Sequence, residues 1–365
     1  MKKITYSKKE DNGFYAALRG RVNEYFSENG LDRYATAGTR IKAAAMLVIY
    51  ALLCALLFSG HASTGLFLLN YFLVGIVQFL IFINIGHDAG HDCFSPSKRV
   101  NSMLLYTLNL IGTCGYTFRL RHNYGHHSHS NIEGTDTDLS IPYARFSEAK
   151  PFRAIHRFQY LFPFVLVLVS GLGVILINNF ADLARKQIGN KRVDRHPLRE
   201  YVILAASKLL FFTYMVVLPA VCTDFSLPVV ILGFYLSTVG FGIMFPVVLA
   251  PVHVLDELEF PAPDANGHIG HSWVEHQFRT TSDFITDNKL FTHLFGAFNH
   301  HVAHHLFPHV NYSHYPALTR IIRKTCAEYG MTYHHCNSFA EAYTSHMKLL
   351  VRCSREGRVA EQADM

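Results

Sequence analysis

Charged residues are scarce in this chain: 16% of its 365 residues are Asp, Glu, Lys or Arg, where a soluble domain carries about a quarter. Half of the residues are apolar and the mean hydropathy is positive. Several apolar runs approach the length that spans a bilayer, so the chain reads as an integral membrane protein. Cysteine pairs are missing too. The seven cysteines are scattered, none in a C-x-x-C pair, which argues against a disulfide framework or a cysteine-built metal site and leaves core or surface thiols. The first thirty residues contain no apolar stretch that would serve as a cleavable signal, and the amino end is expected to stay in the cytoplasm. A formal charge of +6 is modest; it fits basic loops on the inner side of a membrane and gives no reason to invoke nucleic acid. No internal repeat or low-complexity tract is visible.

Histidine is abundant instead, with 23 in the chain, and it gathers in a few places. Asn299 to Pro316 reads NHHVAHHLFPHVNYSHYP. On a helix, His301, His304 and His305 stand at i, i+3 and i+4 and project from one face. His87 and His91 form an i, i+4 pair just past an apolar run, with Asp88 and Asp92 following them. His122, His126 and His127 form a third group, with His129 two residues on. His122 and His126 share a helical face, and His127 is turned about 100° from His126, so adjacent rings can serve two different metals. Imidazole favours zinc, copper, iron or nickel over magnesium or calcium. Eight histidines exceed what one tetrahedral or octahedral ion uses. Two metals follow, and an almost all-histidine site on an apolar body suits a redox-active iron pair working on an apolar substrate. His61, His156, His196, His268 and His346 read as ordinary polar residues.

The topology follows from where these groups must meet. Apolar runs at 41–60 and 66–86 form one hairpin, and 227–250 pairs with 201–221 in another. The run 101–118 is short and broken by Gly112 and Gly115, which suggests a re-entrant or in-plane helix. The groups at 87–91 and 301–305 lie on one side only if an even number of crossings separates them, so one of the runs 160–180, 201–221 and 227–250 does not cross. The basic loop 181–200, carrying Arg185, Lys186, Lys191, Arg192, Arg195 and Arg199, belongs in the cytoplasm, and that makes 160–180 the in-plane one. The expected fold is an all-α integral membrane protein with four transmembrane helices as two hairpins and a cytoplasmic cap bearing a histidine-rich di-metal site. Residues 1–40 form an amino-terminal arm, 41–345 the membrane domain and 346–365 a polar tail. In the arm, Phe14–Phe26 is an amphipathic helix, lying on the membrane surface or packed on the body. The mid-spans read as clean of polar groups, which disfavours a metal or proton-coupled transporter.

The patterns HDAGH, HNYGHH and HVAHH resemble the three histidine boxes of the membrane fatty acyl desaturases and their hydroxylase relatives. LRGRVNEYF, RHNYGHHSHSNIEGTDTDL, HVLDELEFP and HHLFP through HYPAL are similar to bacterial linoleoyl-CoA-type desaturases, over roughly residues 12–345. The resemblance implies an O2-dependent desaturase with two iron ions ligated by His87, His91, His122, His126, His127, His301, His304 and His305. It implies a ninth ligand at the cytoplasmic end of the last span, where His253 stands; His276 is the rival. Asp136 and Asp138 match a G-x-D-x-D element that would orient box histidines, as would Asp88 and Asp92. Gln277 and Thr281 match a family Gln–Thr pattern. The implied partners are a fatty acyl substrate as acyl-CoA or acyl-lipid, the bilayer, and an external electron donor such as cytochrome b5 or ferredoxin. The implied location is a bacterial inner membrane, with the active site on the cytoplasmic side. Two features depart from the front-end branch. His301 stands where those enzymes usually carry Gln, and the H-P-G-G haem motif of a fused cytochrome b5 domain is absent. A hydroxylase or acetylenase would share the same centre.

Overall fold

The computed structural model describes residues 3–8, 13–60, 62–139, 141, 143–147 and 149–355; His61 lies outside them. Among these residues, five helices are long and apolar enough to cross a membrane: α2 (Ala37–Leu56), α3 (Thr64–Gly90), α6 (Ala154–Ala184), α7 (Leu198–Cys222) and α8 (Leu227–His253). They follow α1 (Phe14–Glu28) and are interleaved with the short helices α4 (Lys98–Leu105) and α5 (Gly115–Leu120). The cap is completed by α9 (Trp273–Thr280), α10 (Lys289–Leu294), α11 (His301–Leu306), α12 (Tyr315–Tyr329) and α13 (Phe339–Cys353). The last of these carries residues 346–353 of the stretch set apart as a polar tail.

Helices α3 and α8 make the tightest pairing. A side chain on Gly75 would run into the Ser237 carbonyl, and one on Gly240 into the Phe72 carbonyl. Small residues permit that approach, which matters where lipid supplies no hydrophobic drive between helices. Helix α6 packs on α8 in the same way, Gly171 against the Thr238 carbonyl and Gly242 against that of Val167. The two ends of α6 touch the histidine-bearing side. Near its start Gln159 Nε2 donates to the Leu350 carbonyl at 2.9 Å, and near its end Asp182 lies 3.6 Å from Arg121, in the segment that carries His122 and His126.

The interior of the membrane helices is less clean than the sequence suggests. Lys208, in the middle of α7, is buried and donates to the carbonyls of Gly112 and Ile175. Gly112 sits at positive φ in the break before α5, and Ile175 lies in a π turn of α6, so the ammonium meets carbonyls that regular helix would have occupied. Gln78 donates to Tyr50, whose hydroxyl pairs with that of Tyr214. None of these is a histidine or carboxylate.

Of the two expectations for the arm, packing on the body holds. α1 buries Phe14, Leu18 and Val22 in one apolar cluster with Leu318 and Ile322 of α12. Short strands pin the margins of the cap. β1 (Thr5–Tyr6) runs parallel to β4 (His268–Ile269), β2 (Gln187–Ile188) pairs with β3 (Lys191–Arg192), and β5 (Asp283–Phe284) is parallel to β6 (His335–Cys336).

Candidate metal centre

Three π turns bring histidines together in the interior of the cap. One occupies Phe82–Gly86 and precedes His87. Another, Phe245–Leu249, precedes His253. The third, Arg121–His126, itself carries His122 and His126. An extra residue in a turn rotates the helix downstream of it, and such bulges recur at functional sites. The fourth contribution is the ordinary helix α11, whose one-faced His301, His304 and His305 are all buried.

Ring nitrogens form two groups of four, His87, His91, His122 and His304, and His126, His253, His301 and His305; within each, the candidate ligand atoms lie within 4.8 Å of one another. His127 stands at the seam, with its ring 4.6 Å from that of His91 and 4.5 Å from those of His304 and His305. The nine histidines singled out in the sequence therefore come together. His276 does not join them. Its Nε2 donates to the Ser130 carbonyl at 2.8 Å, and its Nδ1 accepts from His271. His129, His300, His309 and His314 also bond elsewhere, to Tyr6, Thr319, the His91 carbonyl and the Tyr34 carbonyl.

The outer nitrogens settle which atoms face inward. His253 Nδ1 donates to the Thr280 carbonyl at 2.9 Å, and His305 Nδ1 to Gln277 Oε1 at 2.8 Å. In a neutral ring the proton can occupy only one nitrogen, so both Nε2 atoms are bare, and they face each other at 3.0 Å. His301 Nε2 is also 3.0 Å from His253 Nε2. In the other group His122 Nδ1 donates to Asp138 at 2.8 Å, leaving its Nε2 bare, 3.0 Å from His87 Nε2 and 3.1 Å from His127 Nε2. His91 Nε2 and His304 Nε2 are buried with no hydrogen-bond partner among the described residues. Protons do not fill these gaps. Burial drives the His122 pKa down to about 3 against the pull of Asp138, and burial with neighbouring rings takes those of His127, His304 and His305 well below the usual value. Opposed lone pairs in a buried pocket call for a cation, and this donor set fits a pair of imidazole-loving transition metals. A further grouping, His122, His126 and Asp138, reuses histidines of both sets, and its carboxylate already accepts from His122 Nδ1.

The carboxylates divide. Asp136 accepts from His126 Nδ1 at 3.0 Å and from the Asn131 amide at 2.9 Å. Asp88 lies 3.5 Å from His87 Nδ1 and accepts from Asn311 Nδ2 at 2.6 Å. Asp92 stands apart. The helix ends at His91, Asp92 takes a left-handed φ of 57°, and its half-exposed carboxylate pairs with Arg119 at 3.0 Å. Thr281 is buried, and its hydroxyl has no hydrogen-bond partner among the described residues. Sequence reasoning missed the Tyr315 hydroxyl, 3.1 Å from His304 Nδ1, and the Thr280 carbonyl. Tyr315 lies in the histidine-rich HYP stretch, whereas a backbone acceptor leaves no mark in a sequence.

Comparison with known proteins agrees with the geometry. Residues 62–337 match the fatty acid desaturase family. A sn-1 linoleoyl-lipid 6-desaturase of Synechocystis sp. is 31% identical over 345 residues, covering 93% of this chain and 95% of that protein. An acyl-lipid (8-3)-desaturase of Physcomitrium patens is 28% identical over 94% of this chain and 72% of its own length. The sn-1 linoleoyl-lipid 6-desaturase of Arthrospira platensis is 26% identical over 96% of this chain and 95% of its own. The family match takes in both histidine groups, and the likeness runs nearly end to end; the chain belongs to the fatty acid desaturase family, oxidoreductases that act on fatty acids.

Proposed function

We propose that the two histidine groups hold a pair of iron ions and that the protein sets a cis double bond into the fatty acyl chain of a membrane lipid. The observation that carries this reading is the pair of bare Nε2 atoms of His253 and His305, facing each other at 3.0 Å in a buried pocket. The chemistry that iron would supply there is activation of O2: with two external electrons, two protons and one hydrogen from each of two neighbouring methylenes, the products are an alkene and two waters.

The protein's own residues have positional tasks. Asp136, Asp138, Gln277 and the Thr280 carbonyl hold protons on the outer nitrogens and so aim the inner ones. The apolar helices hold an unreactive chain beside the centre and keep water from it. An acyl-lipid is favoured over acyl-CoA because the relatives are named for lipid-linked substrates, and the bond position favoured is carbon 6 of a linoleoyl chain. Electrons come from a separate carrier such as cytochrome b5 or ferredoxin.

Four crossings, with the histidines on the cytoplasmic face of a bacterial inner membrane, fit the attachment of both ends of α6 to the histidine-bearing side. On that arrangement 1–40 is an arm and 41–345 the membrane domain, with residues 346–353 continuing its last helix.

The test is expression in a bacterium that lacks polyunsaturated lipids, fed linoleate, with lipid classes separated before fatty acid profiling and a His304→Ala control alongside. A triene in lipid from the wild type only is the expected result. No new double bond, with iron and a reductase supplied, sinks the desaturase reading; a new bond on the methyl side sinks the positional one.

A further inference from the structure

Arg121 precedes His122 in the π turn and is neither a ligand nor a direct partner of any ring. Its Nε lies 2.9 Å from Asp138 Oδ1, and its Nη1 lies 3.6 Å from Asp182 Oδ2. Asp182 sits near the end of α6, its side chain 4% exposed, and its other oxygen is 3.2 Å from Arg185. Asp138 Oδ2 in turn takes the Nδ1 proton of His122 at 2.8 Å. A continuous charged chain thus runs from α6 through Arg121 and Asp138 to a ring whose inner nitrogen belongs to one histidine group only.

We propose that Arg121, anchored by Asp182, is a positioning residue that aims the Asp138 carboxylate and thereby tunes metal occupancy of the His87, His91, His122 and His304 group, leaving the other group largely untouched. This rests on the reading that both groups bind metal.

The selectivity follows from how the two orienting carboxylates are held. Asp136, which aims His126 in the second group, is buried and clamped by the backbone amides of Asn131, Asp138 and Leu139. Among the described residues no backbone amide donates to Asp138; its side chain is 23% exposed and is paired with Arg121. Without the guanidinium, Asp138 faces the like charges of Asp136 and Asp182 and is free to swing toward water. His122 Nδ1 then loses its acceptor, and the ring can move its proton to Nε2, the atom that faces His87 and His127. A protonated nitrogen donates no lone pair. Lysine replaces the guanidinium poorly here, because a point charge cannot span two carboxylates as a planar fork does.

The experiment is a cobalt(II) titration of purified, metal-free full-length protein, followed by visible absorption and by metal content after dialysis against a chelator. The wild type is expected to retain two cobalt ions. Arg121→Gln and Asp182→Asn are expected to retain one tightly and to bind the other about 10–100-fold more weakly, the usual effect of removing an orienting partner, with Arg121→Lys in between. Thermal unfolding of the metal-free proteins reports folding. If Arg121→Gln fails to fold, the nearly isosteric Asp182→Asn decides. Two tight cobalt ions in Asp182→Asn, or equal weakening of both, overturns the proposal while the two-metal reading stands. A wild type that binds no cobalt overturns both.

Discussion

Gln277 fixes a histidine through a neutral amide: its Oε1 accepts from His305 Nδ1 at 2.8 Å, and its Nε2 points back to the Trp273 carbonyl. Gln277→Leu removes the acceptor without adding charge. Its metal retention should fall by about 10–100-fold, measured by chelator competition, and Gln277→Glu should restore much of it. Asp88 and Asp92 make a sharper contrast, since both follow a histidine in sequence. Asp88→Asn, beside His87 and under Asn311, should lose metal and activity. Asp92→Asn should leave both within about twofold, as expected of a surface pair with Arg119. Equal losses in the two variants would contradict the geometry. At this scale the sequence was informative about ring nitrogens and poor about their outer partners. Helical spacing announces His301, His304 and His305, but nothing in the spacing distinguishes Asp88 from Asp92. That choice depends on a single left-handed residue where the helix stops.

Elements were legible where apolar length alone defined them. The runs at 41–60 and 227–250 correspond to α2 and α8, and the broken 101–118 stretch forms only short helices. Hidden from the sequence were the π turns at 82–86, 121–126 and 245–249, because an extra residue in a turn does not disturb an apolar run. Lys208 was hidden for the same reason, one charge within a long apolar stretch. Close helix contact is the testable consequence at this scale. Gly75→Leu places a side chain against the Ser237 carbonyl of α8, which has no rotamer to yield; it should cost about 3 kcal/mol, the upper end for overpacking, read as thermal unfolding in detergent. Gly173→Ala, with open space around it, should be neutral or slightly stabilising.

For the whole molecule, the open question of sidedness has a direct readout. Alkaline phosphatase fused after residue 190, in the basic loop, should be inactive, and fused after residue 224, between α7 and α8, it should be active. The opposite pattern would put the histidine groups on the outer side, since a crossing by α6 as well would separate residues 87–91 from 301–305, whose rings meet. Sequence parity reached the four-span arrangement by assuming that the histidine groups meet, and they do meet. It had no means of judging α6 by composition, since that helix is as apolar as its neighbours.

The ring nitrogens of each group come from segments far apart in the chain, His87 and His91 near one end and His304 near the other for the first, His126 and His305 for the second. The first set is therefore incomplete until the ribosome has made residue 304 and the second until residue 305, after every long apolar helix has been made. On the proposed reading, metallation is the closing event of biogenesis, and a chain truncated before α11 or inserted with one helix misoriented stays empty. Iron supply would then act as a maturation checkpoint, separating finished enzyme from chains still open to proteolysis.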